Sequence, residues 1–289
     1  MVLCMTTLPG CGWLGVRQAE LALRPTPGRP AEFAPGLAAE QANFKPGDLR
    51  YTVAVPGDPG QADQLALWWL PHANAVAPTL LYLHGTFRNL YGNLSKINAL
   101  REAGFSVLAV DYRGWGESTV RTPSEASITA DAARAWAEVL RLQPAAARRV
   151  IYGHSLGGAV AVRLASTLHS GAAGDRVADY AALVLEATFT RLPDVAAAAG
   201  FWGSVGAALT TLEFDSLSRM ARIDAPLWML HGTADNTVPV ALGRALRDAA
   251  PAGVHWLEVP GGSHSRLHSD APALYQNTFK NLIASLPAP

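Results

Sequence analysis

The stretch Tyr152-Gly153-His154-Ser155-Leu156-Gly157-Gly158 decides how the rest of the chain is interpreted. It follows the apolar segment Arg149-Val150-Ile151 and precedes Ala159–Leu168, which is rich in alanine and valine. A G-x-S-x-G pattern between a strand and a helix is typical of a nucleophile elbow, a turn too sharp for side chains at its two outer glycines. The turn lifts Ser155 clear of the sheet, and the N–H groups of the following helix face whatever the serine attacks. We therefore predict that Ser155 is a catalytic nucleophile.

Short apolar runs alternate with longer segments of helical spacing along most of the chain. Two alternating runs, Leu49–Val55 and Gln64–Leu70, predict an antiparallel hairpin ahead of them. The further predicted strands are Thr79–Leu83, Phe105–Asp111, Arg149–Gly153, Ala181–Ala187, Pro226–His231 and Val254–Val259. The predicted helices are Asn93–Ala103, Ser127–Leu142, Ala159–Leu168, Pro239–Ala249 and Asp270–Leu286. This pattern predicts an α/β fold with a mostly parallel central sheet, led by the hairpin and covered by helices on both faces.

The chain divides into three parts by composition. Residues 1–20 are interpreted as a lipoprotein-type signal and tether, residues 21–48 as a Pro/Gly-rich lead-in, and residues 49–289 as the α/β domain. Residues 189–222 interrupt the alternation just after a strand, on the side of the sheet where ligands bind. We interpret them as a small helical lid, and predict that Phe189 and Trp202 contact the substrate.

A serine hydroxyl needs a base within hydrogen-bond reach and a third group that orients the base. Asp235 and His264 each follow a predicted strand in a glycine-containing loop, in the chain order Ser–Asp–His expected for this kind of sheet. Asp215 and Asp224 are rivals for the acid, although neither follows a strand end, and His268 is a rival for the base. The glycine pair Gly261-Gly262 shortly before His264 favours that histidine.

The oxyanion formed by attack on a carbonyl needs backbone donors aimed at it. We predict the N–H of Leu156, directly after the nucleophile, and the N–H of Thr86, in the loop after Thr79–Leu83, with Phe87 as the alternative to Thr86. Phe87 is also predicted to contact the substrate. The Asp111–Ser118 segment is interpreted as a structural turn in which Arg113 is tied to a nearby carboxylate, rather than as an acid–base or metal site.

From about residue 20 onward, the chain resembles an α/β-hydrolase of the serine aminopeptidase-like group. The motifs that carry the resemblance are Leu23-Arg24-Pro25-Thr26-Pro27, Trp68-Trp69-Leu70-Pro71, Tyr82-Leu83-His84-Gly85, Asp111-Tyr112-Arg113-Gly114-Trp115-Gly116-Glu117-Ser118, Gly153-His154-Ser155-Leu156-Gly157-Gly158, His231-Gly232-Thr233-Ala234-Asp235 and Gly262-Ser263-His264. The resemblance implies a serine hydrolase. The chain departs from the group at Thr86-Phe87-Arg88, where asparagine and small residues are usual. No acidic cluster for a substrate amino terminus can be identified.

Composition excludes several other functions. The 23 basic and 23 acidic residues balance, without long runs of either sign, so the charge pattern of a nucleic-acid-binding protein is missing. Cys4 and Cys11 are the only cysteines, which excludes a disulfide framework or a cysteine metal site in the domain. No apolar stretch of about 18 residues predicts a transmembrane helix. No metal or organic cofactor is implied.

The N-terminal residues contain a short lipidation-like motif. Leu8-Pro9-Gly10-Cys11 resembles a bacterial lipobox, which predicts lipidation of Cys11 and membrane anchoring in the bacterial cell envelope. No basic segment precedes it and its apolar stretch is short, which a mis-assigned start codon would explain. The alternative is an apolar tail on a cytoplasmic protein.

Together these features predict a serine hydrolase that cleaves carboxylic esters, either lipid-like or small acyl esters, through an acyl-enzyme. The balanced charge and apolar lid favour uncharged or lipid-like esters over peptides. An aminopeptidase or amidase with the same triad is the first alternative, and a non-catalytic binding protein of the same fold is the second.

Overall fold

The computed structural model describes residues 19–170, 177–200 and 211–287. Its centre is an eight-stranded sheet. The strands of this sheet are β1 (Leu49–Pro56), β2 (Ala62–Leu70), β3 (Thr79–Leu83), β4 (Ser106–Asp111), β5 (Arg149–His154), β8 (Ala182–Glu186), β9 (Leu227–Gly232) and β10 (His255–Val259). Across the sheet they lie in the order β1-β2-β4-β3-β5-β8-β9-β10. A separate short hairpin pairs β6 (His169–Ser170) with β7 (Val177–Ala178).

The pairing follows the predicted pattern. β1 and β2 are antiparallel, β2 joins β4 antiparallel, and every further pair from β4 to β10 is parallel. The prediction of a mostly parallel sheet led by an antiparallel hairpin is therefore confirmed. Because parallel strands end at one edge of the sheet, the loops after β3, β5, β9 and β10 can meet there.

Helices cover both faces of the sheet. Those whose bounds lie in the described ranges are α1 (Ala38–Asn43), α2 (Leu94–Ala103), α3 (Glu125–Leu142), α4 (Leu156–Ala165), α5 (Leu192–Ala198), α6 (Val240–Asp248), α7 (Leu267–Asp270) and α8 (Pro272–Ser285). Alternate residues of a strand point to opposite faces, so Leu81 of β3 packs with α3 and α4, and Leu80 packs with α2 and α8. β3 is buried along its whole length, which explains its continuous apolar sequence.

Two helices differ most from their predicted bounds. α4 begins at Leu156 rather than at Ala159, because the elbow turns directly into the helix and the glycines after it mask the start in the sequence. The predicted helix Asp270–Leu286 is split into α7 and α8 at Ala271. Pro272 disfavours helical geometry at the residue before it, and Ala271 has φ −141° and ψ 65°.

The described part of the lead-in packs closely on the domain. Leu23 is fully buried in the core, and the ring of Phe44 lies edge-on to Trp68 at 5.0 Å between centroids. The N–H of Gly28 donates to the carbonyl of Gly116 at 2.6 Å. These contacts bring the Leu23–Pro27 segment next to the loops at the carboxyl edge of the sheet.

The segment predicted as a lid contains α5 and a 3-10 helix, Leu217–Arg222, with residues 201–210 outside the described structure. Leu212 and Phe214 are buried in the main core cluster. No helix within the described ranges has the length and apolar character required to cross a membrane.

Candidate active site

Ser155 sits at the tip of the turn between β5 and α4. Its backbone has φ 55° and ψ −121°, a conformation that residues other than glycine rarely adopt. The turn is possible because a Cβ at Gly153 would lie 2.2 Å from the carbonyl oxygen of Gly157, and one at Gly157 would lie 2.1 Å from that of Leu83. The N–H of Ser155 donates to the carbonyl of Glu186 on the neighbouring strand at 2.9 Å, which fixes the turn to the sheet.

Three loops bring Ser155, Asp235 and His264 together at the carboxyl edge. His264 Nε2 lies 3.0 Å from Ser155 Oγ, and His264 Nδ1 lies 2.8 Å from Asp235 Oδ2. A carboxylate oxygen can only accept, so Nδ1 carries the proton and Nε2 is left with a lone pair towards the serine. The arrangement can therefore take a proton from Ser155 and stabilise the resulting imidazolium.

Asp235 is 6% exposed and fully hydrogen-bonded. Its Oδ1 accepts from the N–H groups of Thr237 at 2.9 Å and Val238 at 2.8 Å, and His231 Nε2 lies 3.3 Å from Oδ2. Burial alone would raise the pKa of this carboxyl, but the hydrogen bonds from His231 and His264 outweigh burial and hold the pKa well below its ordinary value. Asp235 is thus ionised at neutral pH, as a partner for an imidazolium must be.

The loop after β3 passes beside the nucleophile. A Cβ at Gly85 would lie 3.0 Å from Ser155 Cβ, so the next residue, Thr86, is close to the serine. Leu156 is the first residue of α4, and its N–H has no acceptor four residues earlier in the helix. Both predicted oxyanion donors therefore lie near Ser155, although their role stays a prediction.

A tight turn shapes this loop. Phe87 has φ 64°, and the N–H of Arg88 donates to the carbonyl of Thr86 at 2.8 Å, a γ-turn centred on Phe87. The lead-in holds the turn, since Thr26 Oγ1 donates to the carbonyl of Phe87 at 2.9 Å and the Arg24 guanidinium lies 4.7 Å from the Phe87 ring centre. This link between lead-in and loop was not predicted from the sequence.

Two further groups near the site have partners that the sequence did not predict. His154 Nε2 donates to the carbonyl of His264 at 2.9 Å, and burial lowers the pKa of His154 well below its ordinary value, so the ring is neutral. Behind it, Glu186 pairs with the buried Lys96 and accepts from Tyr152 at 2.6 Å and Tyr275 at 3.1 Å. The sequence shows a glutamate within an apolar strand pattern, but not the lysine and tyrosines that tertiary packing brings to it.

The Asp111–Ser118 segment is a structural turn, as predicted. Arg113 Nε donates to Asp131 Oδ1 at 2.9 Å, and its Nη1 lies 3.1 Å from Asp63 Oδ2. Ser118 Oγ donates to the carbonyl of Asp111 at 2.5 Å. The tie between Arg113 and a nearby carboxylate is therefore confirmed.

The serine opens into a cavity of about 600 Å³. Its wall includes Thr86 and Phe87, and Phe87 is 46% exposed. Described residues that line it and have polar or charged side chains are Arg88, Asn93, Ser95, Lys96, His154, Thr237, Ser265, Arg266, His268 and Ser269. The described lining is therefore more polar than the apolar lid predicted from the sequence would suggest.

Not every predicted site residue lies at this cavity. Phe189 is 2% exposed and packs in the core, and it is absent from the described lining. Phe189 follows β8 closely. Just before it, the N–H of Ala187 donates to the carbonyl of Leu230 and Thr188 Oγ1 donates to the carbonyl of Ser155. These bonds hold the backbone against the sheet, and the Phe189 ring points into the core. Trp202 and Cys11 lie outside the described residues.

The rival residues have other partners. His268 Nε2 is 2.9 Å from Ser95 Oγ, and Asp215 Oδ1 accepts from the N–H of Ser218 at 3.0 Å. No group of three or more His, Cys, Asp or Glu side chains in the described ranges is arranged to hold a metal ion.

Comparison with known proteins places these features among the α/β-hydrolases. Residues 75–214 match the family model described as serine aminopeptidase, S33. The Mycobacterium tuberculosis protein Rv2307c is 35% identical over 205 residues, which are 70% of this chain and 68% of that protein. Lysophosphatidylserine lipase ABHD12 of Rattus norvegicus is 31% identical over 201 residues, and the match spans 64% of this chain but only 49% of the lipase.

The fold also resembles solved structures. The Pyrococcus furiosus esterase PF2001 superposes with a TM-score of 0.68 at 18% identity, over 91% of this chain and 97% of the esterase. An α/β-hydrolase from Vibrio vulnificus gives a TM-score of 0.64 at 19% identity, over 97% of this chain and 94% of that one. At these identities the likeness concerns the fold.

Proposed function

The chain belongs to the serine aminopeptidase (S33) family of α/β-hydrolases, and we propose that it hydrolyses carboxylic esters through Ser155, His264 and Asp235. The observation that carries the proposal is the position of His264, 3.0 Å from Ser155 Oγ and 2.8 Å from Asp235 Oδ2. A neutral imidazole in this position can act as a general base towards the serine.

Acylation begins when Ser155 Oγ attacks the ester carbonyl and His264 Nε2 takes its proton. The negative charge moves to the carbonyl oxygen, where the N–H groups of Leu156 and Thr86 stabilise it. Asp235 stabilises the imidazolium. The C–O bond to the alcohol then breaks, His264 returns the proton to the departing oxygen, and an acyl-Ser155 ester remains.

Deacylation repeats the same steps with water. His264 takes a proton from a water molecule, whose oxygen attacks the acyl carbon, and a second oxyanion forms in the same position. The bond to Ser155 Oγ breaks and His264 reprotonates the serine. The products are a carboxylic acid and the free enzyme, without any oxidant, reductant or metal.

Two observations favour esters over aminopeptidase substrates. An aminopeptidase must bind a substrate ammonium group, which an acidic residue would do, and the described lining of the cavity contains neither aspartate nor glutamate. One relative carries the name lysophosphatidylserine lipase, and the substrate in that name is an acyl ester. An amidase with the same three residues is the second candidate.

The first experiment is labelling with a fluorophosphonate probe, comparing wild type with Ser155→Ala, followed by a panel of p-nitrophenyl esters from two-carbon to sixteen-carbon acyl chains and a set of aminoacyl anilides. We expect labelling that disappears in Ser155→Ala, ester turnover that falls by at least about a thousandfold, and a thermal midpoint that changes little. Ser166→Ala, which alters another buried serine on the turn after α4, is the matched control and should keep labelling.

Other outcomes would separate the alternatives. Faster turnover of anilides than of esters would assign the protein to the amidases. A folded wild type that neither reacts with the probe nor cleaves any ester would contradict the proposal and favour the non-catalytic binding protein. Anchoring in the cell envelope through Cys11 stays a separate prediction.

A further inference from the structure

The cavity beside Ser155 has an unusual distribution of charge. Arg88, Lys96 and Arg266 are among its described lining residues, and no described aspartate or glutamate lines it. The whole chain is balanced, with 23 basic and 23 acidic residues, so the cationic lining is a local property. The remaining polar lining consists of hydroxyl, amide and imidazole groups, which bind anionic oxygens without opposing charge.

Arg88 lies two residues after the predicted oxyanion donor Thr86. Its aliphatic stem runs across Gly92, where an added Cβ would lie 2.9 Å from Arg88 Cβ and 3.0 Å from Cδ. Within the described residues, no carboxylate forms an ion pair with its guanidinium. Among the described residues Arg88 therefore has no ion-pair partner, and its guanidinium lies on the cavity wall, held by the packing of its stem.

Arg266 lies two residues after His264, on the loop that follows β10. Its side chain is 71% exposed, and its Nε is 3.8 Å from Asp270 Oδ1, too far for a hydrogen bond. Asp270 is instead engaged by Ser263, whose Oγ donates to Oδ2 at 2.6 Å. Arg266 thus keeps most of its hydrogen-bonding capacity for a ligand.

Lys96 contributes to the floor of the cavity in a different way. It is 2% exposed and paired with Glu186, so its charge is largely compensated. Burial lowers the pKa of Lys96, Glu186 opposes that effect, and the positive charge of Arg88 adds to the lowering. The positive charge of the lining therefore comes mainly from Arg88 and Arg266.

Building on the proposed esterase activity, we propose that this cavity is a subsite for an anionic oxygen group, a phosphate or a carboxylate, carried by the ester substrate and bound by Arg88 and Arg266. Guanidinium groups bind such oxyanions in a bidentate manner. The two arginines lie on the loops that carry Thr86 and His264, so an anion held between them would place the neighbouring ester next to Ser155. Binding there would position the scissile bond as well as add affinity.

The test uses the full chain and four esters that share the acyl chain favoured by the p-nitrophenyl panel. Their alcohols are glycerol (neutral), glycerol 3-phosphate and glycolate (anionic) and choline (cationic). Each kcat/KM is divided by the ester's rate of alkaline hydrolysis, which removes differences in intrinsic reactivity. The variants are Arg88→Ala, Arg266→Ala and the double variant. Arg141→Ala removes an arginine of similar exposure, 63%, on α3, and is the control.

We expect at least one anionic ester to exceed the neutral ester by about tenfold or more in normalised kcat/KM, with the cationic ester the poorest. Each single variant should lower the anionic-to-neutral ratio about fivefold or more, mainly through KM, and the double variant should remove the preference. Arg141→Ala should leave the ratio unchanged. A preference for the glycerol phosphate ester alone identifies phosphate as the bound group, and one for the glycolate ester alone identifies carboxylate.

Two results would overturn the inference. If the neutral ester is hydrolysed through Ser155 but the anionic esters gain nothing over it, the subsite is wrong and the esterase proposal stands. The subsite is also wrong, and the esterase proposal still stands, if the anionic-to-neutral ratio of kcat/KM is unchanged in the Arg88→Ala, Arg266→Ala double variant. If no ester is hydrolysed by the folded protein, the proposed function fails and the subsite fails with it.

Discussion

His154 holds the loop that carries His264. Its Nε2 donates to the carbonyl of His264 at 2.9 Å, the two rings lie 5.0 Å apart, and the buried ring is neutral. Because His264 must reach Ser155 and Asp235 at once, a shift of its backbone would disturb both contacts. We therefore interpret His154 as a positioning residue for the base.

Replacing His154 tests this interpretation. His154→Leu removes the donor, and we expect kcat to fall by about 10- to 100-fold, equivalent to about 1.4 to 2.8 kcal/mol of transition-state stabilisation. His154→Gln can still place an N–H near the carbonyl, so it should retain clearly more activity. The measurement is kcat and KM for the best ester, together with the rate of fluorophosphonate labelling and the thermal midpoint of each variant. Equal activities for the two variants at similar stability would rule out a role for this hydrogen bond.

Individual residues differ in how well their places could be foreseen. Ser155, Asp235 and His264 each follow a strand at the same edge of the sheet, and their chain order selects them, so their proximity could be predicted. His154 could not be assigned to the His264 loop, because the partner is a backbone carbonyl 110 residues away. The Lys96–Glu186 pair was equally hidden, since only tertiary packing brings the two side chains together.

The loop after β3 is fastened to the lead-in by Asn89. This residue is 4% exposed, and its Nδ2 donates to the carbonyls of Gly28 at 2.9 Å and Thr26 at 3.2 Å. Thr26 in turn donates to Phe87. The lead-in thereby braces the turn that carries the predicted oxyanion donor Thr86.

Removing this brace should affect activity as well as stability. Asn89→Ala removes the Asn89 donor from the carbonyl of exposed Gly28 and one of the two donors to the carbonyl of half-buried Thr26, which keeps the N–H of Gly116. We expect a loss of about 0.5–1.5 kcal/mol in the free energy of unfolding. Because the loop also loses its support, kcat/KM should fall about tenfold at a temperature where the variant is folded. Urea unfolding and steady-state kinetics measure the two effects.

Asn98→Ala is the matched control for the brace. Asn98 also contacts the lead-in, through Asn43 at 3.3 Å, but it lies on α2 and does not touch the loop. Asn98→Ala should lower the free energy of unfolding slightly and leave kcat/KM unchanged. If both variants changed kcat/KM alike, the bracing role of Asn89 would be rejected.

Strands and helices were largely predictable because their periodicity is local. The predicted strands agree with the observed ones to within about two residues, since each is a continuous or alternating apolar run bounded by turn residues. The lead-in lacks such a pattern, and its order comes from contacts with Gly116, Asn89 and Trp68. Phe189 lies in the core rather than at the described cavity for a related reason: the sequence shows an aromatic residue after a strand, but not the hydrogen bonds of Ala187 and Thr188 that hold the neighbouring backbone.

The balance of charge over the whole protein gave little information about the site. A chain with equal numbers of acidic and basic residues was expected to prefer uncharged esters, yet the acidic side chains nearest the cavity are occupied by other groups. Glu186 faces Lys96 and two tyrosines, Asp235 faces His264 and His231, and Asp270 faces Ser263. Among the described residues that line the cavity, Arg88, Lys96 and Arg266 are cationic and none is an aspartate or glutamate.

The fold also contains a buried acid whose protonation links stability to pH. Asp111, at the end of β4, is 1% exposed, and burial raises its pKa to about 8, although the N–H of Leu90 donates to it at 2.9 Å. His84 Nε2 lies 3.4 Å away, but burial lowers the pKa of His84 to about 4 and its Nδ1 donates to Gly85, so it offers no positive charge. Asp111 therefore carries a proton in the folded protein at neutral pH.

The direction of the pH effect follows from proton binding. Between about pH 4 and pH 8 the folded protein holds the Asp111 proton and the unfolded chain has released it, so the free energy of unfolding falls as pH rises through this range. Asparagine resembles the protonated carboxyl and cannot ionise. The free energy of unfolding of Asp111→Asn minus that of wild type should therefore increase by about 1–3 kcal/mol from pH 5 to pH 8. Urea unfolding of both proteins at the two pH values measures the difference, and Asp58→Asn, at a 71% exposed side chain, should give the same offset at both. An Asp111→Asn offset that does not change with pH would mean that the carboxyl is already ionised in the fold.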